Sequence, residues 1–314
     1  MIDRNATTYV AGHRGLAGSA IWRRLAADGY TRLVGRTSAE LDLLDRDAVF
    51  AAFREIEPQN VVLAAGKVGG ILANSTYPAD FLTENLRIQL NVMDAALELR
   101  VPRLVFLGSS CIYPKLAPQP IKEEYLLTGY LEPTNDAYAI AKIAGIIQVQ
   151  AVRRQHGLSW ISAMPTNLYG PGDNFSPNGS HVLPALIRRY VEAKQSGAPE
   201  VVNWGTGSVL REFLHVDDLA SAIAFLMENY DSPETINVGT GKDLSIAAIA
   251  AKISDAVGYQ GRSMWDDSKP DGTPRKLLDV SRLMALGWSP QVSLDDGLRE
   301  TVDWYLANQL DVRS

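Results

Sequence analysis

Thr7-Thr8-Tyr9-Val10-Ala11-Gly12-His13-Arg14-Gly15-Leu16-Ala17-Gly18 is a short apolar run that breaks into a glycine turn. The run reads as a buried strand, and the residues after it read as a helix with Ile21, Leu25 and Ala26 on the inner face. Strand, glycine-rich turn and helix in that order is the context that gives a glycine motif meaning. Gly12 permits the tight turn, Gly15 lets the backbone approach a pyrophosphate, and Gly18 lets the helix pack on the strand. Phosphates then rest on free N–H groups at the helix start. The spacing is G-x-x-G-x-x-G, not the commoner G-x-G-x-x-G, and a plain helix-entry turn is the alternative.

Outward from that unit, strand and helix signals alternate. Arg32-Leu33-Val34-Gly35 reads as a second strand, Asp45 caps a helix reaching about Ile56, and Asn60 to Ala65 is an apolar strand. Lys67-Val68-Gly69-Gly70-Ile71 is a loop beyond it, Pro78 to Leu99 a long helix, and Arg103 to Leu107 another buried strand. Continuous apolar strands separated by helices indicate an α/β fold with a Rossmann-type, doubly wound parallel sheet, whose ligands bind beyond the carboxyl ends of the strands. An NAD site usually places Asp or Glu at the end of the second strand, but here Arg36-Thr37-Ser38 stands there and Arg14 converges on it. Two cations and a hydroxyl suit a 2′-phosphate, so NADP(H) is expected; solvated arginines are the alternative.

Composition narrows the class. The 314 residues are 46% apolar and 21% charged, which suits a globular protein with one large or two medium domains. No apolar run of about 18 residues marks a transmembrane helix, and Met1-Ile2-Asp3-Arg4-Asn5 shows no leader pattern. The lone Cys111 excludes an internal disulfide and a cysteine-built metal cluster, so no metal is expected. The net charge of −6 argues against nucleic acid and anionic membranes as partners. A cytoplasmic enzyme is the expectation.

Tyr138-Ala-Ile-Ala-Lys142 opens a helical segment from about Asp136 to His156, with Asn135 or Thr134 as candidate caps. Four-residue spacing puts the phenol and the ammonium on one helix face. A cation beside a phenol favours the phenolate and lowers its pKa toward neutrality. Gly108-Ser109-Ser110-Cys111-Ile112-Tyr113-Pro114 follows the strand ending at Leu107, so Ser109 is placed to hold a substrate oxygen while Tyr138 moves a proton. Lys142 would hold the nicotinamide ribose.

With these motifs the chain resembles the extended short-chain dehydrogenase/reductase family, and within it the GDP-L-fucose synthases. The resemblance runs through Gly12-His13-Arg14-Gly15, Ala65 to Ile71, Gly108 to Lys115, Pro165-Thr166-Asn167-Leu168-Tyr169-Gly170-Pro171, Arg211 to Asp218 and Lys269 to Lys276. It implies 3,5-epimerisation of GDP-4-keto-6-deoxy-mannose followed by NADPH-dependent reduction of the C4 ketone. It also implies catalytic roles for Ser109, Tyr138 and Lys142, and an acid–base pair of Cys111 and His181. Read without the resemblance, Cys111 is a small hydrophobe and His181 a helix cap. Cofactor positions by resemblance are Gly12, His13, Arg14, Gly15, Leu16 and Gly18, with Arg36, Ser38 and Leu107. Ser109, Lys142, Pro165, Asn167, Leu168 and His181 complete them. Ser38 departs from the family, which carries a second arginine there. Asn167, Arg189, Trp204, Arg211, Asp271 and Lys276 match positions that grip the GDP-sugar, although Arg189 also reads as solvent-facing.

The expected organisation is an NADP-binding part over 1–165, to which residues 205–240 return, and a smaller interleaved GDP-sugar-binding part over 166–314. Asp217-Asp218 reads as a helix cap and His215 as structural, while Leu244–Val257 and Leu294–Leu306 read as core helices. A homodimer is implied by resemblance. The rivals are a 4-reductase, a 4-epimerase, a 4,6-dehydratase, or a non-catalytic NADP-binding regulator. A dehydratase needs a carboxylate near the serine, but Ser110 and Cys111 stand there and no Asp or Glu follows before Glu123. A regulator has no use for Ser109, Tyr138 and Lys142 together.

Overall fold

The structure, a computed structural model, describes residues 2–177, 179–269 and 271–309. Pro270, which falls within a quoted motif, and Asn178 lie outside the described residues. The chain begins β1 (Thr8–Ala11), α1 (Leu16–Ala27), β2 (Leu33–Val34), α2 (Arg46–Ile56) and β3 (Asn60–Leu63). There follow α3 (Ile71–Thr76), α4 (Pro78–Glu98), β4 (Arg103–Leu107), α5 (Asp136–His156) and β5 (Ser159–Pro165). Beyond them come β6 (Asn167–Tyr169), α6 (Val182–Ser196), β7 (Glu200–Trp204), β8 (Leu210–His215), α7 (Val216–Asn229) and β9 (Ile236–Val238). The last elements are β10 (Asp243–Ser245), α8 (Ile246–Val257), β11 (Arg262–Asp266), β12 (Arg275–Lys276), α9 (Ser281–Ala285) and α10 (Leu294–Ala307).

Six strands form one parallel sheet in the order β2-β1-β3-β4-β5-β9. β1, β3 and β4 are buried at every position, as strands covered on both faces must be. One face packs Phe53 of α2, Val92 and Met93 of α4, and Ile146 and Val149 of α5 against the sheet. Ile21 and Leu25 of α1 and Leu219, Ile223 and Leu226 of α7 cover the other. β9 enters this sheet only after the chain has left it at β5. The intervening and later residues build a sheet ordered β10-β8-β12 with β6 on β8, and a separate β7–β11 pair. A third apolar cluster lies beneath them, with Tyr190 of α6, Ile249 and Ile253 of α8, and Val302 of α10.

Three local expectations change. α7 is capped by the His215 imidazole, whose Nδ1 accepts from the Asp217 N–H at 3.3 Å, not by Asp217-Asp218. Asp217 pairs instead with Arg23 at 2.8 Å, and buried Asp218 accepts the Gln291 and Val292 N–H groups. At α5 neither Asn135 nor Thr134 caps; the Asp136 carboxylate takes the Ala137 N–H at 2.7 Å. Asp243–Ser245, expected partly as helix, is a strand beside β8, and Ser245 caps α8 from its end.

Candidate functional site

β2 and β3 flank β1 on opposite sides, so the chain reverses direction across the sheet there and opens a crevice above their carboxyl ends. The glycine turn lies in that crevice. Gly12 has φ +82°, and a Cβ on it would stand 2.8 Å from the Ala65 nitrogen beyond β3. A Cβ on Gly18 would run into the Gly12 carbonyl, so the helix can close on the turn only without one. Leu16 is the first residue of α1, whose opening turn has no intrahelical acceptors for its N–H groups and so suits a phosphate. His13 lies in the turn, its ring tilted on Trp22 at 5.5 Å, with Gly35 directly behind it. Its Nδ1 is buried with no partner, and burial and Arg14 hold its pKa down.

Arg14 of the glycine turn is exposed; at the end of β2, Ser38 is exposed and Arg36 pairs with Glu55 at 3.2 Å. The Glu40 carboxylate accepts the Thr37 N–H at 2.7 Å and sits in the field of both arginines. The charges of Arg14 and Arg36 therefore both act on the Glu40 carboxylate.

Ser109 follows β4 and opens a single tight turn over Ser110–Ile112, its Oγ accepting the Cys111 N–H at 3.2 Å. Tyr138 and Lys142 lie one turn apart near the start of α5. The buried Lys142 ammonium donates to the Leu107 carbonyl at 2.9 Å and lies 4.9 Å from the Phe106 ring centre. Desolvation draws its pKa down to about 8. The expected depression of the Tyr138 pKa is absent. Burial pushes it up, the Cys111 charge adds to that, and only the Ser109 hydroxyl opposes. The Lys142 ammonium lies 5.9 Å from the ring centre, and its pull does not offset the desolvation of the phenol.

These residues fit a nicotinamide dinucleotide. An ammonium has three donors, and Leu107 takes one, which leaves two for ribose hydroxyls. Pro165 ends β5, Asn167 donates to the Glu212 carbonyl at 2.7 Å, and Leu168 packs into the core beneath the sheet.

Cys111 has a neighbour the sequence did not announce. The Lys276 ammonium, from β12, lies 3.2 Å from its sulfur. Burial pushes the thiol pKa up, but Lys276, the Ser109 hydroxyl and Arg211 outweigh it and the net shift is downward. His181 stands just before α6 and is exposed, and desolvation followed by the Lys276 charge holds its pKa down. Cys111, His181 and Lys276 thus share one electrostatic neighbourhood.

Of the expected GDP-gripping set, Arg211 and Lys276 are register partners across β8 and β12. Asp271 accepts from the Thr206 N–H and hydroxyl, each at 2.8 Å, and lies in the field of Arg211. Arg189 donates to Asn203 at 3.3 Å, next to Trp204, which is 58% exposed with the Lys269 ammonium 5.8 Å from its ring centre. Sequence reading missed Glu212. Its carboxylate is fully buried and accepts the N–H groups of Thr240 (2.6 Å), Gly241 (2.7 Å) and Leu278 (3.0 Å). It ties β8 to the loop after β9 and to the segment carrying Lys276. A charge just before the apolar Phe213-Leu214 is the signal that marks it.

Residues 8–239 match the NAD dependent epimerase/dehydratase family. GDP-L-fucose synthase 1 of Arabidopsis thaliana is 60% identical over 98% of this chain and 95% of its own length. GDP-L-fucose synthase of Escherichia coli K12 is 54% identical over 96% and 97%. The chain belongs to the GDP-L-fucose synthases. Among solved structures, a GDP-L-fucose synthetase from Naegleria fowleri bound to NADP superposes with a TM-score of 0.92 at 30% identity, covering 100% of this chain and 96% of that one. The fold shared with other GDP-L-fucose synthases is therefore an NADP-binding one, consistent with Arg14 and Arg36.

Proposed function

We propose that the protein converts GDP-4-keto-6-deoxy-mannose to GDP-L-fucose, inverting C3 and C5 and then reducing the C4 ketone with NADPH. The observation that carries this reading is the nearness of Cys111 to Ser109 and Tyr138. One set of groups suits a ketone reduction, the other a carbon acid flanking that ketone. Ser109 and Tyr138 hold the C4 oxygen, which stabilises the enolate during inversion and receives a proton during reduction. Bound NADPH supplies the hydride, with Arg14 and Arg36 at its 2′-phosphate and Lys142 at its ribose. Cys111, favoured as thiolate beside Lys276, is the base. His181 is the acid, since an imidazolium whose pKa is held down gives up its proton readily.

Arg189, Trp204, Arg211 and Asp271 receive the GDP portion, with arginines for the diphosphate and Trp204 for a stacking face. Residues 1–165 with β9 and α7 form the cofactor half, and most of the remainder the sugar half. A cytoplasmic homodimer completes the reading. With one cysteine, no internal disulfide calls for an oxidising compartment, and a second copy would cover the exposed Leu90, Ile140 and Ile147 of α4 and α5. The test is incubation of the purified protein with GDP-4-keto-6-deoxy-mannose and NADPH. GDP-L-fucose formed as NADPH is oxidised supports the reading; an uninverted deoxy sugar makes the protein a plain 4-reductase and removes Cys111 and His181 from the mechanism.

A further inference from the structure

Two inversions at one site create a proton debt that the catalytic pair alone does not settle. In the mannose-configured ring both H3 and H5 are axial and on the same face. Both protons therefore leave toward the same base, and both replacements arrive from the opposite face. After the first inversion Cys111 holds the proton taken from C3 and His181 has given one to C3. The second inversion requires the same starting state. Cys111 must lose one proton and His181 must regain one, while the ketone stays available to NADPH.

A cavity of about 50 Å³ is lined among others by Ser110, Cys111, Lys115, Glu132, Asn135 and Lys276. Cys111 and Lys276 line it, while Ser109, Tyr138 and His181 do not. Its volume suffices for water molecules. Asn135 Oδ1 is buried without a partner, an acceptor that water would satisfy. At the outer end Lys115 and Glu132 pair at 3.0 Å, with the Lys115 side chain 40% exposed, and Glu132 also accepts from Thr273 at 3.2 Å. At the inner end the Lys276 ammonium touches the Cys111 sulfur at 3.2 Å.

We propose that Lys276 and this cavity, with Asn135 and Glu132 along it, form the route by which Cys111 returns its proton to solvent between the two inversions. The proton passes from the thiol to Lys276 as Lys276 releases one to cavity water. It leaves past Glu132, and the exposed His181 is recharged from solvent. One proton leaves and one enters, and no bond to carbon changes. The proposal rests on the double inversion of the proposed function. It gives Glu132 and Asn135 a role that touches neither sugar nor cofactor.

The experiment compares wild type, Glu132→Gln and Asn135→Leu with GDP-4-keto-6-deoxy-mannose and NADPH in deuterium oxide, resolving products by NMR. If the route operates, both variants bind NADPH and oxidise it at near wild-type rate. Their product shifts about tenfold or more toward the singly inverted, reduced sugar, because the ketone is reduced before Cys111 is reset. Deuterium then marks one ring carbon where wild type marks two. Should both variants yield doubly inverted sugar in the wild-type proportion, the route is refuted while the double inversion stands. Should wild type itself invert neither carbon, the parent reading falls and this proposal falls with it.

Discussion

The Lys276 ammonium and the Cys111 sulfur lie 3.2 Å apart although 165 residues separate them in the chain. The contact makes a thiol that burial alone would render inert into one that ionises more easily. Replacing Lys276 by Met leaves the burial and removes the cation, so the Cys111 pKa rises. Cys111 is the sole cysteine, so its alkylation rate by iodoacetamide reports it alone. The midpoint of that rate against pH moves upward by about 1–3 units in Lys276→Met; an unmoved midpoint contradicts the assignment.

Tyr138→Phe keeps the ring against Phe81 and removes only the hydroxyl. NADPH binding, followed by its fluorescence, stays as in wild type, while ketone reduction falls by about 10²–10⁴. Unchanged reduction would make Tyr138 a packing residue.

Arg14→Ala removes an exposed cation from the glycine turn after β1. NADPH affinity drops roughly tenfold or more, the worth of a hydrogen bond to a charged group, and NADH affinity changes little. Equal losses for both cofactors would move the 2′-phosphate elsewhere.

Asp173 is buried with one carboxylate oxygen unpartnered, and burial pushes its pKa up to about 7. The folded state then holds a proton that the unfolded chain releases near pH 4. Stability therefore falls as pH rises from about 4 to 7 and levels off above. Asp173→Asn cannot ionise, so its melting temperature should decline less than that of wild type between pH 5 and pH 8; parallel declines would refute the assignment.

Much of the fold was legible because its signals are local. The glycine turn after Tyr9-Val10-Ala11, the apolar strands and the helix over Asp136–His156 each depend on neighbours within one or two turns. The placing of Ser109 just after β4 and of Tyr138 and Lys142 one turn apart on α5 was legible for the same reason. What escaped depends on partners distant in sequence. Nothing near Lys276 announces a thiol, and nothing near Glu212 announces backbone donors at Thr240 and Leu278. The Tyr138 pKa went the other way because helical spacing gives proximity but not dielectric, and desolvation outweighs the nearby buried ammonium. His215 took the cap at α7 because Asp217 faces Arg23 and Asp218 turns inward to Gln291 and Val292.

The late arrival of β9 has a consequence for anyone wishing to divide the molecule. A fragment cut after Pro165 would contain every strand of the large sheet but the last, and β5 would present a row of bare amide and carbonyl groups along its open side. Such a piece would invite self-association, so the nucleotide-binding half is not a portable cassette. Grafting it onto another sugar-recognition unit requires carrying Ile236–Val238 along, and with it a splice point inside the recipient.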